Sequence, residues 1–211
     1  MNNPATSGYF YPSKMGRVIL LALEEILGRN GIEAVLSQAN LARLIGNYPP
    51  DNLEMTFDFA EVSEIFSVLE DLHDSRSGRG LALKAGRLCL KYGLREFAPL
   101  KFLSELGFRL LPLPEKLRHG VSSLAQTFNL YSDQIVHLEE AESHYSWQIE
   151  RCGLCWNRRS PDPACHLAVG ILLEATSWVS GGKHYRVEET ACIARGDPRC
   201  TIVVGKHALE H

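Results

Sequence analysis

Five of the chain's six cysteines fall in its last sixty residues, at Cys152, Cys155, Cys165, Cys192 and Cys200, with Glu188 and Glu189 just ahead of the last pair. Thiols gathered in this way point to disulfides, a metal ion or a redox pair. The spacing runs Cys152-x-x-Cys155, then Glu189-x-x-Cys192, with Gly196-Asp197-Pro198 between Cys192 and Cys200. Soft thiolates and one carboxylate drawn from separate elements make a donor set that suits a tetrahedral zinc ion. The opening MNNPATSGYFYPSKMGR lacks a basic region leading into an apolar one, so it does not read as a signal peptide. No apolar run is long enough to span a bilayer. Both point to a cytoplasmic protein, where lasting disulfides are uncommon and metal or free thiols are favoured.

At 211 residues, 45% hydrophobic and 22% charged, the chain can bury a sizeable core as one domain. A formal net charge of −3 gives no sign of a nucleic-acid surface. Leu209-Glu210-His211 reads as the start of a vector-encoded histidine tag, so residues 209–211 are set aside.

The part over 1–131 reads as successive helices. Val18, Leu21, Ala22, Ile26 and Leu27 recur at helical spacing after Ser13, with Gly31 past the end. A second segment covers about 32–45. A third opens at Asp58 or Ser63 and carries Val62, Ile65, Phe66 and Leu69. Ser75 to Gly80 reads as a turn. A helix over 81–92 then presents the small-residue face Ala82, Ala85, Gly86 and Cys89, which suits close approach of another helix or a ligand and hints at a homodimer. Leu113-Pro114-Glu115 starts the last of the group, ending near Asn129.

Over 132–204 the pattern changes. Residues 135–140 and 144–150 alternate as a hairpin, 165–179 form one helix after Pro161 and Pro163, and 183–194 with 199–204 form a second hairpin about Gly196. The expected fold is α+β: an N-terminal helical layer packed on a C-terminal four-stranded antiparallel sheet with one intervening helix.

A turn centred on Gly196 sets Cys192 opposite Cys200, and directly opposed Cβ atoms stand about 4.5–5.5 Å apart. That spacing admits two thiolates on one zinc ion and also a cross-strand disulfide. Strand parity puts Glu188 on the face of Cys192; Glu189 would need a bulge. Cys165 opens a helix, where the thiolate is favoured. Neighbouring His166 points about 100° away and reads as a packed or hydrogen-bonded residue. Cys152 and Cys155 read as a second half-site, a redox pair or two small buried side chains.

The stretch from Arg151 to Val204, RCGLCWNRRSPDPACHLAVGILLEATSWVSGGKHYRVEETACIARGDPRCTIVV, resembles the 4-vinyl reductase domain family: a Cys-x-x-Cys, a Cys-His helix start, and a Glu-x-x-Cys followed by a Gly-Asp turn and a final Cys. The resemblance implies a fold related to Bet-type trafficking subunits and haem nitric-oxide sensors, with helices enclosing an apolar pocket over the sheet. It implies zinc on Cys165, Glu189, Cys192 and Cys200, with Cys152 and Cys155 outside the set. Family members include a protein named for bacteriochlorophyll 4-vinyl reduction and the phenol-sensing domains of bacterial activators.

Two functions follow. One is a small-molecule-binding protein with a structural zinc, taking an apolar ring, a hydrocarbon or a tetrapyrrole precursor in a pocket lined by aromatics such as Phe66, Phe102, Phe108, Trp147 and Trp178. The alternative is a 4-vinyl reductase of (bacterio)chlorophyll biosynthesis. That chemistry needs a hydride carrier, and the chain has no Gly-x-Gly-x-x-Gly after a strand to hold a nicotinamide.

Overall fold

The computed structural model describes residues 6–101 and 106–209. A short strand β1 (Phe10–Pro12) leads into α1 (Ser13–Gln38), β2 (Met55–Asp58) and α2 (Phe59–Leu72). Helix α3 (Asp74–Glu96), the short α4 (Ala98–Lys101) and α5 (Leu106–Arg109), and α6 (Leu113–Tyr131) complete the helical part. The C-terminal part contains β3 (Val136–Glu140), β4 (His144–Ile149), α7 (His166–Ser180), β5 (Tyr185–Ala191) and β6 (Cys200–Ala208). The four strands form one antiparallel sheet in the order β3-β4-β6-β5, as the α+β reading expects.

Alternation sets the inner face of this sheet. Tyr145, Trp147 and Ile149 of β4 and Cys200, Ile202 and Val204 of β6 are buried, while the residues between them are less so. Ile149 pairs with Cys200, so the row of inward side chains ends in a thiol.

The helices follow their apolar spacing, with three departures. The first two expected helices join as α1 and break at Gly28, not Gly31, because Gly28 adopts φ 70°, open to glycine at little steric cost. The segment 75–80, expected to be a turn, is the first part of α3. Asp74 Oδ1 accepts from the backbone N–H groups of Arg76 and Ser77, each at 3.0 Å, and so caps it. Gly78 lets this turn lie on the end of α2, since a Cβ there would stand 2.6 Å from Glu70 Cα. The third departure is the antiparallel pair β1–β2, which the sequence reading does not contain.

The small-residue face is spent inside the chain. Helices α3 and α7 cross at Gly86 and Gly170: a Cβ on Gly86 would lie 2.1 Å from Leu167 O, and one on Gly170 would lie 2.2 Å from Leu83 O. This backbone-to-backbone approach accounts for the glycines and locks α7 to the helical layer.

Candidate metal centre and adjoining cavity

Four separate elements bring the thiols together. Cys152 and Cys155 flank and close the 3₁₀ turn Gly153–Cys155. Cys165 is the N-cap residue of α7. Cys192 follows β5 and enters the 3₁₀ turn Ile193–Arg195, and Cys200 begins β6. All five are buried and unbridged.

Cys155 Sγ stands 3.4 Å from Cys165 Sγ and 3.5 Å from the sulfurs of Cys192 and Cys200; Cys152 Sγ is 3.5 Å from Cys165 Sγ. The donor atoms of Cys165, Glu189, Cys192 and Cys200 all lie within 4.8 Å of one another. The same holds for Cys152, Cys155, Cys165 and Cys200. Two sulfurs on one tetrahedral zinc ion are about 3.8 Å apart, given bonds of about 2.3 Å, so the cluster has the dimensions of a thiolate metal site.

The backbone shapes the loop around these sulfurs. Ala164 N–H points to Cys192 Sγ at 3.4 Å and Ile193 N–H to Cys200 Sγ at 3.3 Å. Such donors stabilise thiolate charge. Asp197 Oδ2 accepts from Cys192 N–H at 2.7 Å, and Gly196 turns the chain with φ 101°. These contacts explain the Gly-Asp turn between the last two cysteines.

Glu189, not Glu188, faces the cluster. The register of β5 on β6 shifts between Glu189 and Ala191, so a bulge at Thr190 changes the parity. Glu188 is exposed and paired with Arg186, whereas Glu189 is buried. Glu189 Oε2 accepts from Cys165 N–H at 2.7 Å; its other oxygen, Oε1, is buried with no hydrogen-bond partner. Burial, then the nearby Cys192, push this carboxyl up to about 9. A buried carboxylate oxygen lacking a donor, set among thiols, belongs to a donor set of the kind that could hold a metal ion. His166 lies beside Cys165 but outside both donor sets.

An apolar cavity of about 80 Å³ adjoins the centre. Met15 and Ile19 of α1, Leu90 of α3, Leu124 of α6 and Ile171 of α7 supply much of its wall. Its polar lining residues are Tyr11, Gln134 and Thr127; the Tyr11 hydroxyl donates to Gln134 Oε1 at 2.6 Å, with both residues buried. Cys89 also lines it, and burial pushes that thiol up to about 12, so it remains a neutral apolar surface.

The cavity and the cysteines share a wall. Leu154, between Cys152 and Cys155, and Leu167, two residues past Cys165, line the cavity. Tyr11 packs on Gly153, where a Cβ would stand 2.7 Å from the ring.

The aromatics named from sequence lie elsewhere. Phe66 and Trp147 are buried core, Trp147 edge-on to Phe128 at 6.3 Å. Phe108 and Trp178 stack at 6.4 Å, with Trp178 partly exposed. None of these four lines the cavity, and Phe102 lies outside the described residues. Tyr11, Phe97 and Phe128 line it instead. Core and pocket aromatics share the same helical spacing, so only packing separates them.

The resemblance read from the cysteine motif is borne out where that motif lies: the family model of the 4-vinyl reductase domain matches residues 146–206. No curated protein matches the chain. Among solved structures, an Fe(II) unliganded H-NOX protein from K. algicida is similar with a TM-score of 0.59 at 13% identity, covering 95% of this chain and 97% of that one. An H-NOX protein from S. oneidensis in the Fe(II)NO state gives 0.52 at 12% identity, over 92% and 98%. A third structure, one probing heme distortion in the H-NOX family, gives 0.56 at 14% identity, over 95% and 97%. These likenesses are of fold.

Proposed function

We propose that the chain is a small-molecule-binding protein in which a structural zinc ion, held by Cys165, Glu189, Cys192 and Cys200, fixes one wall of an apolar cavity. The observation that carries this reading is the common wall: Leu154 and Leu167 line the cavity beside Cys152, Cys155 and Cys165. Four protein donors leave no open position on the ion, so its part is structural and it takes no substrate. The unpartnered Glu189 Oε1 supports the carboxylate as the fourth donor.

The ligand class follows from the lining. The lining is mostly apolar, Thr127 spends its hydroxyl on Ser123 O, and the Tyr11–Gln134 pair offers one polar end, so a single ring or short hydrocarbon with at most one hydroxyl or carbonyl is the best match. An engineered protein cavity of about 150 Å³ takes a benzene molecule, so this smaller one must widen even for one ring. A tetrapyrrole precursor exceeds it many times over.

Haem, named for one fold neighbour, does not fit for the same reason, and no histidine lines the cavity among the described residues to bind the iron. Self-association remains a separate proposal, without the small-residue face that α3 uses against α7; sedimentation at increasing concentration tests it.

Metal analysis and thermal melts test the reading together. Purified protein is expected to hold zinc, to lose it in Cys192→Ser or Cys200→Ser, and to melt higher with phenol or toluene present. Sustained conversion of a divinyl chlorophyllide precursor by the isolated chain with a reductant would replace the binding reading with the reductase.

A further inference from the structure

One four-coordinate ion uses four of the six donors gathered at the centre and leaves Cys152 and Cys155 as buried thiols against its ligands. The two four-donor sets share two members, Cys165 and Cys200. Each set adds two donors of its own: Cys152 and Cys155 from the 3₁₀ turn, or Glu189 and Cys192 from the bulged end of β5. Two terminal donors per set and two shared thiols are the pattern of a two-metal centre, because a thiolate sulfur has lone pairs enough to bind two ions.

From this we infer a second metal site: a divalent thiophilic ion of the zinc class, bound by Cys152 and Cys155 and bridged through Cys165 and Cys200 to the first. The inference rests on the reading that Cys165, Glu189, Cys192 and Cys200 hold an ion, and adds a neighbour to it. Cys155 lies 3.4 Å from Cys165 and 3.5 Å from Cys200, and Cys152 lies 3.5 Å from Cys165. These separations are slightly shorter than the roughly 3.8 Å between sulfurs on one tetrahedral ion, so loading opens the group by a few tenths of an ångström.

Binding the second ion displaces a proton from each of the Cys152 and Cys155 thiols, and its two charges offset those of the two buried thiolates formed. The arrangement also has a geometric consequence. Cys155 and Cys192 are 3.5 Å apart, and as terminal ligands of different ions they must separate when both sites fill.

The full chain, stripped of metal under reducing conditions, is titrated with cobalt(II) and zinc(II) and weighed by native mass spectrometry. Two ions per chain are expected in the unaltered protein and one in the C152A/C155A variant. With cobalt(II), the paramagnetic resonance signal should grow over the first equivalent and then fall over the second, as the thiolate bridges couple the spins. That readout needs no variant, so a folding failure in C152A/C155A does not blunt the test.

One ion in both proteins overturns the second site and leaves the single-ion reading intact. One ion in the unaltered chain and none in a variant that keeps the parent's circular-dichroism spectrum shows a single ion held by the turn's thiols, which overturns both; with an unfolded variant, one ion in the unaltered chain overturns the second site alone. No metal in either also ends both, and iron with acid-labile sulfide would replace them with a cluster.

Discussion

Gly86→Ala tests whether the α3–α7 crossing sets the position of the metal centre. The added Cβ would lie 2.1 Å from Leu167 O, 2.8 Å from Ile171 N and 2.9 Å from Gly170 Cα, all backbone atoms that no side-chain rotation can move. The helices must therefore part by roughly 1 Å, and overpacking of this kind costs about 3 kcal/mol, near the top of its usual range. The better helix propensity of Ala returns about 1 kcal/mol. A net loss of about 2 kcal/mol lowers the melting temperature by about 4–8 °C in a chain of this size.

Gly80→Ala on the same helix is the control, because nothing lies within 4 Å of its added Cβ. It should gain about 0.5–1 kcal/mol and melt about 1–4 °C higher. Since Cys165 stands at the N-cap position of α7, the Gly86 variant should also release metal at lower chelator concentration, while the Gly80 variant should not. Urea and thermal unfolding, with chelator competition, measure both effects. A Gly86→Ala protein as stable as the parent would refute the argument from close backbone approach.

Tyr11→Phe removes the donor to buried Gln134 Oε1 and should cost about 1–3 kcal/mol in urea unfolding, with an unchanged denaturant slope. Arg158 pairs with Glu70 at 2.9 Å, with 9% and 13% of the two side chains exposed, so Arg158→Ala should cost about 3–5 kcal/mol. Burial already raises the Glu70 carboxyl above its ordinary 4.5, and Arg158 opposes that rise. Without Arg158 the folded value climbs further, so the stability that protonated Glu70 retains below about 4.5 should be lost progressively as pH rises from there to the raised folded value. Adding Glu70→Gln should flatten this slope in pH-dependent melts. Acid should also strip the metal, because protons compete for the thiolates; chelator-accessible zinc is expected to rise steadily as pH falls.

Much of the architecture is legible in side-chain periodicity. Alternation in β4 and β6 fixes which face is inward, and Asp58 caps α2 by accepting from Ala60 N–H at 2.8 Å. The motif of late cysteines likewise marks the centre. What escapes the sequence depends on partners distant in the chain. The run from Ser75 to Gly80 carries turn residues, yet Gly78 is needed for contact with Glu70 and Asp74 serves as a cap. Strand β1 is three residues long and ends in Pro12, too short to show a period. Parity selects Glu188 because a bulge at Thr190 leaves no periodic trace, and a single inserted residue reverses every side chain before it. Cys152 and Cys155 precede the other thiols by a loop, and only the folded turn places Cys155 against three of them.

On the proposed reading, the shared wall gives a saturated metal a role beside a binding cavity. An apolar cavity is costly to keep open, since its lining loses contacts that a filled core would have. Leu154 is bonded to Cys155 and Leu167 lies two residues past Cys165, so both cavity residues sit on segments anchored by thiols of the centre. On the proposed reading the ion fixes Cys165 and its bonded neighbours, and with them the start of α7, whose Leu167 and Ile171 line the cavity. Collapse of that wall would then require breaking metal–thiolate bonds as well as repacking side chains. The opposite wall is built from α1, α3 and α6 without such ties. Ligand entry that must widen the cavity is therefore expected to move those helices while the metal side stays fixed.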